Sequence, residues 1–201
     1  VLGIQLIMLF GDTVPLPPPP SVSEAFLGAE ISIGGEEGDG FQLTFGLEAQ
    51  DALDYDLLQG GTLRPNSRVV IAVLLGVMPE VLIDGIITHH EISMGPGQPT
   101  LTVTGRDLSV LMDLEERSES YDAMPDGVIF ASVISRYMQY GLIPQVTPTV
   151  DIPIPFLRVP WQTETDLAFL QRLARRNGYV FYIEPKTVGV NIAYFGPDVR
   201  A

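Results

Sequence analysis

Short apolar segments separated by glycine and proline constrain the fold of this chain more than any other feature. Phe41–Glu48 alternates apolar and polar residues almost perfectly, which places its aromatic and leucine side chains on one face of a strand. The runs Ser67–Leu75, Val81–Met94 and Thr100–Thr104 follow, with glycine or proline in each gap. Because short turns join antiparallel neighbours, this pattern predicts an antiparallel sheet or barrel rather than a doubly wound α/β fold.

The first ten residues, Val1–Phe10, are also apolar. They carry no basic segment, and they are half as long as the roughly 20 residues that a membrane helix needs. We therefore predict a strand here, and neither a signal peptide nor membrane insertion.

The next segments predict a hairpin. A second short strand is predicted at Ala29–Ile33. The acidic, glycine-rich segment Gly34–Gly40 predicts a solvated hairpin loop, since it lacks the helix and the ligand spacing of a phosphate or calcium loop.

The run Pro15–Pro20 consists of proline except for Leu16. Proline fixes φ and has no backbone donor, so the run predicts an extended polyproline segment. We interpret it as the connection between the first strand and the rest of the domain. A ligand for an SH3-type domain is the alternative.

Helical signals begin after residue 106. Asp107–Glu116 is compatible with a short helix. Asp126–Gly141 carries a clearer pattern, with an aspartate as candidate N-cap, apolar residues at i, i+3 and i+4, and a terminal glycine. Prolines then punctuate residues 144–160, which predicts an extended connection with little regular structure.

The segment from Thr163 to Gly178 carries the strongest helix signal. Thr163 and Asp166 form a capping-box pattern, and Gly178 supplies a left-handed stop. An apolar stripe lies between them: Leu167, Leu170, Leu173 and Ala174.

A hairpin is predicted after this helix, since Tyr179–Glu184 and Val188–Phe195 alternate around a Pro-Lys-Thr turn. The predicted fold class is therefore α+β, mainly β: an antiparallel β-barrel domain followed by a helix-plus-hairpin α+β region. We place the barrel domain at residues 1–115 and a helix with the proline-rich connection at 116–161. The capped helix with its hairpin occupies 162–201.

The composition excludes several classes of function. The 201 residues include no cysteine, so disulfides, thiolate metal sites and cysteine nucleophiles are excluded. With 25 acidic against 11 basic side chains, the chain has a net charge of −14, which argues against a protein whose main role is to bind nucleic acid. His89 and His90 are adjacent on a predicted strand and point to opposite faces, so they predict no metal site.

No catalytic constellation emerges from the motifs. The carboxylate pairs Asp54/Asp56 and Glu115/Glu116 lie in polar sequence that gives no reason for the raised pKa of an acid catalyst. No G-x-S-x-G nucleophile elbow is present, and Gly11–Val14 lacks the last glycine of an aspartic protease signature. The sequence therefore predicts no enzyme, no catalytic residue and no cofactor.

One basic cluster is a candidate for interaction. Arg172, Arg175 and Arg176 lie at the C-terminal end of the predicted helix, where they complement its dipole without any ligand. Binding to phosphate or to a partner's acidic groups is the second interpretation, and the two are compatible at an interface. We take these three arginines as candidate interface residues.

Several segments, in their order and spacing, carry a resemblance that covers most of residues 25–197. They are Gly40–Phe45, Arg68–Ile71, Val81–Thr88, Leu101–Asp113, Thr165–Ala174, Gly178–Tyr182 and Tyr194–Pro197. Together they resemble the phage late control protein D family. These are the baseplate hub proteins of contractile phage tails and injection systems, related to the hub part of type VI secretion spike proteins.

The resemblance implies a tail-tube-like barrel domain and a structural role. Hubs of this kind are homotrimers whose ring joins the tail tube protein to the central spike protein, beside the baseplate wedge components. The implied location is the virion tail baseplate, or the equivalent baseplate of a bacterial contractile injection system. Family chains carry a second tube-like domain, so this chain is expected to be part of a longer hub or to begin that domain with its capped helix. A cell-wall or protein hydrolase carried at the tail tip is the alternative function.

The net charge adds an expectation about such a ring. An acidic passage repels phosphates, so DNA or acidic cargo would pass through without adhering. We therefore expect many carboxylates to line the passage, and no specific binding of nucleic acid.

Overall fold

The computed structural model describes residues 5–35, 38–47, 57, 61–76, 78–94, 97–149 and 159–199. These residues form two compact units. The first extends to Leu108 and includes the turn Thr187–Gly189, and the second takes in Ser109–Lys186 and the chain from Val190 onward.

The first unit is built from one curled antiparallel sheet and a short helix. Its elements are β1 (Gln5–Gly11), α1 (Pro20–Ala25), β2 (Phe26–Gly35), β3 (Gly38–Gly46), β4 (Arg68–Leu75), β5 (Met78–Ser93) and β6 (Thr100–Asp107). The strands lie in the order β1-β4-β5-β6-β3-β2, which leaves β1 and β2 at the two edges. The strands predicted from alternation are therefore confirmed wherever the chain is described.

One face of this sheet carries the main core. The register places Leu43 opposite Val103 and Phe45 opposite Leu101, and all four side chains are buried. Gly105 sits in the middle of β6 because a Cβ there would overlap the ring of Phe41. The other buried residues of this core include Phe10, Val22, Phe41, Leu63, Val69, Ile71, Ile83 and Ile87.

A buried ion pair lies on the opposite face, between β4 and β5. Arg68 donates from Nε and Nη2 to the two carboxylate oxygens of Asp84, at 2.7 and 2.6 Å. The two side chains are only 2% and 1% exposed. Arg68 also donates from Nη1 to the backbone oxygen of Thr13, which ties the chain after β1 to the sheet. Such a bidentate pair satisfies both charges only because its geometry is good.

The second unit contains two helices, a two-stranded ribbon and a three-stranded sheet. After a 3₁₀ turn at Leu108–Asp113, its elements are β7 (Glu116–Ser120), α2 (Asp126–Ser135), β8 (Leu142–Val146), β9 (Trp161–Thr165), α3 (Asp166–Asn177), β10 (Val180–Thr187) and β11 (Val190–Gly196). Strands β7 and β9 form the antiparallel ribbon, and the sheet has the order β10-β11-β8. Phe130 of α2 packs on Phe195 of β11, with ring centroids 4.7 Å apart.

The sequence prediction for residues 144–160 is wrong at its start. Pro144 lies inside β8, which pairs in parallel with β11, so the strands are not all antiparallel. The strand tolerates the proline because β8 is at the edge of its sheet, where a missing N–H need not break a ladder. Residues 147–149 and 159–160 have no regular structure, as predicted, and residues 150–158 lie outside the described residues.

Two helix starts also differ from prediction. Pro125, not Asp126, is the N-cap of α2, and Thr165, not Thr163, is the N-cap of α3. The predicted stop of α3 is confirmed, since Gly178 adopts the left-handed conformation with φ of 66°. The predicted stop of α2 is wrong: the helix ends at Ser135, and Gly141, with φ of 76°, ends the 3₁₀ turn Met138–Tyr140. Asp126 does not cap its helix because its carboxylate is held by side chains of α3, as described below.

The predicted fold class is confirmed: the protein is α+β and mainly β, with a half-barrel sheet followed by a helix-containing region. None of the described helices is long and apolar enough to cross a bilayer.

Candidate interface and exposed sheet surfaces

Helix α3 carries the three arginines predicted from the sequence. Its first turn is closed by the hydroxyl of Thr165, which accepts from the amide of Ala168 at 3.2 Å. Its last turn is closed at Gly178, whose left-handed conformation ends the helix. Between these caps one side of the helix is buried, and Arg172, Arg175 and Arg176 lie outside it.

Arg172 is held against the second unit by three contacts. Its Nε donates to Glu164 at 2.7 Å, and its Nη2 donates to the backbone oxygen of Trp161 at 2.8 Å. The guanidinium also lies over the ring of Phe169, 5.0 Å from its centroid. This arginine therefore anchors β9 to α3.

Arg176 makes a different internal contact. Its Nη2 donates to Asp126 at 2.8 Å, and Asn177 donates to the same carboxylate at 2.7 Å. Asp126 is 1% exposed at the first turn of α2. The end of α3 is thereby clamped to the start of α2.

Arg175 is the member of the cluster that points away from these contacts. It is exposed, and its side chain forms no hydrogen bond or ion pair with the part of the chain that the structure describes. The structure thus distributes the three arginines between two internal clamps and one solvent-facing cation.

A second charged group, centred on Asp166, could not be identified from the sequence. The Asp166 carboxylate is 1% exposed and accepts from Arg136 at 3.0 Å, Gln162 at 2.7 Å and Tyr137 at 2.8 Å. Arg117 approaches the same carboxylate to 3.4 Å. One aspartate at the start of α3 therefore joins residues of β7, β9 and the chain after α2.

The neighbours of Asp166 extend this network. Arg136 pairs with Glu119, and the Tyr121 hydroxyl lies 2.9 Å from Gln162 and 3.1 Å from Glu119. Burial raises the pKa of Tyr121 despite the opposing charge of Arg136.

The protonation states of Tyr137 and Arg136 are fixed by the same surroundings. Burial and then the hydrogen bond to Asp166 raise the pKa of Tyr137. Burial lowers the pKa of Arg136, but the neighbouring Asp166, Tyr121 and Glu119 outweigh it, so that the pKa is raised. The tyrosine hydroxyls stay neutral and the guanidinium stays charged, which suits a structural network.

The remaining candidate residues do not come together. His89 is exposed and His90 is half-buried, next to an irregularity in the pairing of β5 with β6. No three His, Asp or Glu side chains in the described chain cluster as a metal site. Glu115 and Glu116 are both exposed, and Asp54 and Asp56 lie outside the described residues.

The sheet of the first unit also presents a polar surface on β5, β6, β3 and β2, opposite the main core. Its cross-strand rows are His89–Thr104–Gln42–Glu30, Glu91–Thr102–Thr44–Gly28 and Ser93–Thr100–Gly46. All of the polar side chains in these rows are exposed or half-buried. Only Glu30 and Glu91 carry a negative charge in these rows. This threonine surface is therefore rich in hydroxyl groups rather than strongly acidic.

The two edge strands of the same sheet, β1 and β2, have no second full strand partner among the described residues. β1 and β2 contain neither proline nor lysine, the residues that commonly block pairing at an edge. Leu27 and Ile33 of β2 are 58% and 69% exposed. Apart from the bridge between Phe10 and Leu16, neither edge has a further strand partner among the described residues.

Solved structures share this arrangement of strands and helices. A tail protein from Neisseria meningitidis MC58 superposes with a TM-score of 0.55 over 94% of this chain, at 13% identity. The fold of this chain is therefore similar to that of this tail protein. The E. coli c3393 protein is a component of the type VI secretion system with structural similarity to the T4 bacteriophage tail proteins gp27 and gp5. It has a TM-score of 0.55 over 98% of the chain, also at 13% identity. A chain of the Francisella PdpA–VgrG complex gives 0.56 over 99%, at 12% identity.

The chain spans half or less of the length of these structures: 50%, 47% and 29%, respectively. Neither a family model nor a curated protein matches the sequence. At these identities the likeness establishes the fold.

Proposed function

We propose that this protein is a structural baseplate hub of the late control protein D type, in a contractile phage tail or a bacterial injection system. It forms a homotrimeric ring that joins the tail tube to the central spike, beside the wedge components of the baseplate. Its role is structural and not enzymatic. The fold shared with a tail protein and a type VI secretion component supports the proposal.

The proposal of a ring rests on the two edge strands of the first unit, β1 and β2. A half-barrel sheet can pair β1 of one copy with β2 of the next, at the part of β1 before Phe10 and along β2 between its two irregularities. Such a contact is heterologous, because it joins two different surfaces, and it closes into a ring when the rotation between copies fits. Closure also removes the exposed edges that would otherwise promote aggregation.

The threonine surface supports a passage through this ring. We assign it to the side that faces transported DNA or acidic cargo, with two carboxylates in place of the many that the net charge led us to expect. Short hydroxyl side chains and two carboxylates provide no positive charge to bind phosphate. Contacts between basic side chains and phosphate are the main source of nonspecific affinity for nucleic acid. The ring then acts as a conduit that does not bind what passes through it.

The domain division and the arginines belong to the same proposal. The tube-like domain of this proposal is the first unit, which extends to Leu108, and the helix-containing region is the second unit. Arg175, together with the clamped Arg172 and Arg176, marks a surface for acidic groups of a neighbouring component. The net charge of −14 makes a second copy of the chain one source of such groups.

Light scattering coupled to size-exclusion chromatography tests the ring. We expect a mass three times the 21.9 kDa of one chain. Ile33→Lys places a charge on the open edge of β2 and should yield monomers, whereas Val128→Lys, at a 52% exposed position of α2, should leave the trimer intact. A monomeric wild type, or equal effects of the two variants, contradicts the proposal.

A further inference from the structure

The proline arm, Val14–Pro20, has no role in the hub proposal. Both of its ends are fixed. Phe10 and Leu16 exchange two backbone hydrogen bonds of 2.8 Å, and the carbonyl of Pro19 accepts from the amide of Val22 at 3.1 Å as α1 begins. Pro19 has φ −57° and ψ 153°, which is polyproline II backbone. The arm is therefore held extended between two anchored ends.

Exposure along the proline arm repeats every third residue, which is the period of a polyproline II helix. Pro15 and Pro18 are half-buried, and the other residues of the arm are exposed. One ridge therefore faces the protein and two ridges face solvent. The outward ridges present two pairs of residues in succession, Leu16–Pro17 and then Pro19–Pro20, of which Pro20 is the first residue of α1.

This arrangement matches the recognition of P-x-x-P segments. Aromatic-lined grooves take up such segments in polyproline II form, and they gain affinity because the ligand is already extended. The carbonyls of Pro17 and Pro18 accept no hydrogen bond from any described residue. They are available to a donor in such a groove.

The charges beside the proline arm indicate which rim charge a partner's polyproline groove should have. Asp12 and Glu24 flank the arm, and both are exposed. Asp12 is paired with Arg64 at 2.6 Å, but Glu24 has no such partner among the described residues. With a net charge of −14 on the whole chain, a groove with basic residues at its rim fits better than an acidic one.

We propose that the proline arm docks a partner protein whose aromatic-lined polyproline groove has a basic rim. Because the arm is fixed at both ends before binding, little ordering entropy opposes the contact. The proposal is separate from the hub function. Because Leu16 pairs with Phe10, the arm lies beside the edge of β1, so binding to the arm and trimer formation are measured separately.

Calorimetric titration of the whole protein against purified SH3 and WW domains, some with basic and some with acidic rims, tests this proposal. We expect saturable binding that favours the basic rims. Pro17→Ala, on an outward ridge, should weaken the binding about tenfold, because it removes a proline from the groove. Pro18→Ala and Pro15→Ala, on the inward ridge, are matched controls and should change affinity less than about twofold.

Circular dichroism and thermal unfolding of each variant establish that the fold is retained. Binding by none of the domains overturns the proposal. So does preference for acidic rims, or an equal loss of affinity in the outward and inward variants.

Discussion

The buried pair of Arg68 and Asp84 offers a quantitative test of how the first unit is held together. Arg68→Met removes the guanidinium and leaves the Asp84 carboxylate in a site that is 1% exposed. Asp84→Leu leaves the guanidinium in the same situation. Replacing both residues removes both charges and keeps apolar volume between β4 and β5.

The magnitudes follow from burial. Removing one member of a buried pair leaves its partner as a buried charge without an opposite charge. We therefore expect each single variant to lose about 3–5 kcal/mol of unfolding free energy. Replacing both members of a buried pair by apolar residues is often neutral or stabilising. Because the Thr13 carbonyl also loses its donor, we expect the unfolding free energy of the double variant to lie within about 2 kcal/mol of wild type. The coupling energy of the cycle should therefore be at least about 3 kcal/mol.

An exposed pair in the same unit serves as the control. Arg64 and Asp12 also approach to 2.6 Å, but their side chains are 56% and 70% exposed. Arg64→Met should cost less than about 1 kcal/mol, because solvent screens exposed pairs. The shortest distance is matched between the two pairs, but the Arg68 side chain makes three of the described hydrogen bonds and that of Arg64 one, so the contrast reports burial together with the number of bonds.

Urea unfolding followed by far-ultraviolet circular dichroism measures these differences, with the slope m checking that each variant unfolds in the same manner. The reasoning is refuted if Arg68→Met costs no more than Arg64→Met. It is also refuted if the double variant is less stable than either single variant.

Three further predictions concern single sites. Asp166→Asn should destabilise the second unit by about 2 kcal/mol, because it weakens several charge-assisted hydrogen bonds. Urea unfolding followed by Trp161 fluorescence measures this difference. A loss below about 0.5 kcal/mol would argue that the network around Asp166 does not stabilise the second unit. Tyr137 has a raised pKa, so its contribution to stability is complete below the unfolded pKa of 10.0 and is lost as the pH rises through the higher folded value. In Tyr137→Phe the fall in stability above this pH should be shallower than in wild type, and an unchanged slope contradicts the assignment. Gly105→Ala should cost about 1–3 kcal/mol in thermal unfolding by overlapping Phe41, and a neutral variant would show that this part of the core can move.

The strands of the first unit could be predicted because alternation is local. Phe41–Glu48 and Thr100–Thr104 carry their face assignment in their own sequence, and β3 and β6 form with that assignment. The same holds for the glycine stop of α3, since Gly178 needs only its own backbone freedom to end the helix.

Features that depend on distant partners could not be predicted. Asp126 resembles an N-cap, but Arg176 and Asn177, some 50 residues away, hold its carboxylate inside the second unit. Asp166 resembles a capping-box residue, and nothing in the sequence indicates that Arg136 meets it. Pro144 suggests a break in structure, but the edge position of β8 removes the cost of its missing donor.

The arginine cluster illustrates the same limit. Its three members are close in sequence, which suggests one basic surface. The structure uses Arg172 and Arg176 as internal clamps, so that Arg175 alone of the three faces solvent without a described partner. We therefore expect that substituting Arg175 leaves the stability of the second unit unchanged, so that such a variant tests the proposed interface alone.

The rotational symmetry of purified particles in electron micrographs tests the central claim most directly. The account predicts a ring with threefold symmetry and a central opening, formed by pairing of the β1 and β2 edges between copies. Particles without a ring, or particles related by a twofold axis alone, would contradict it.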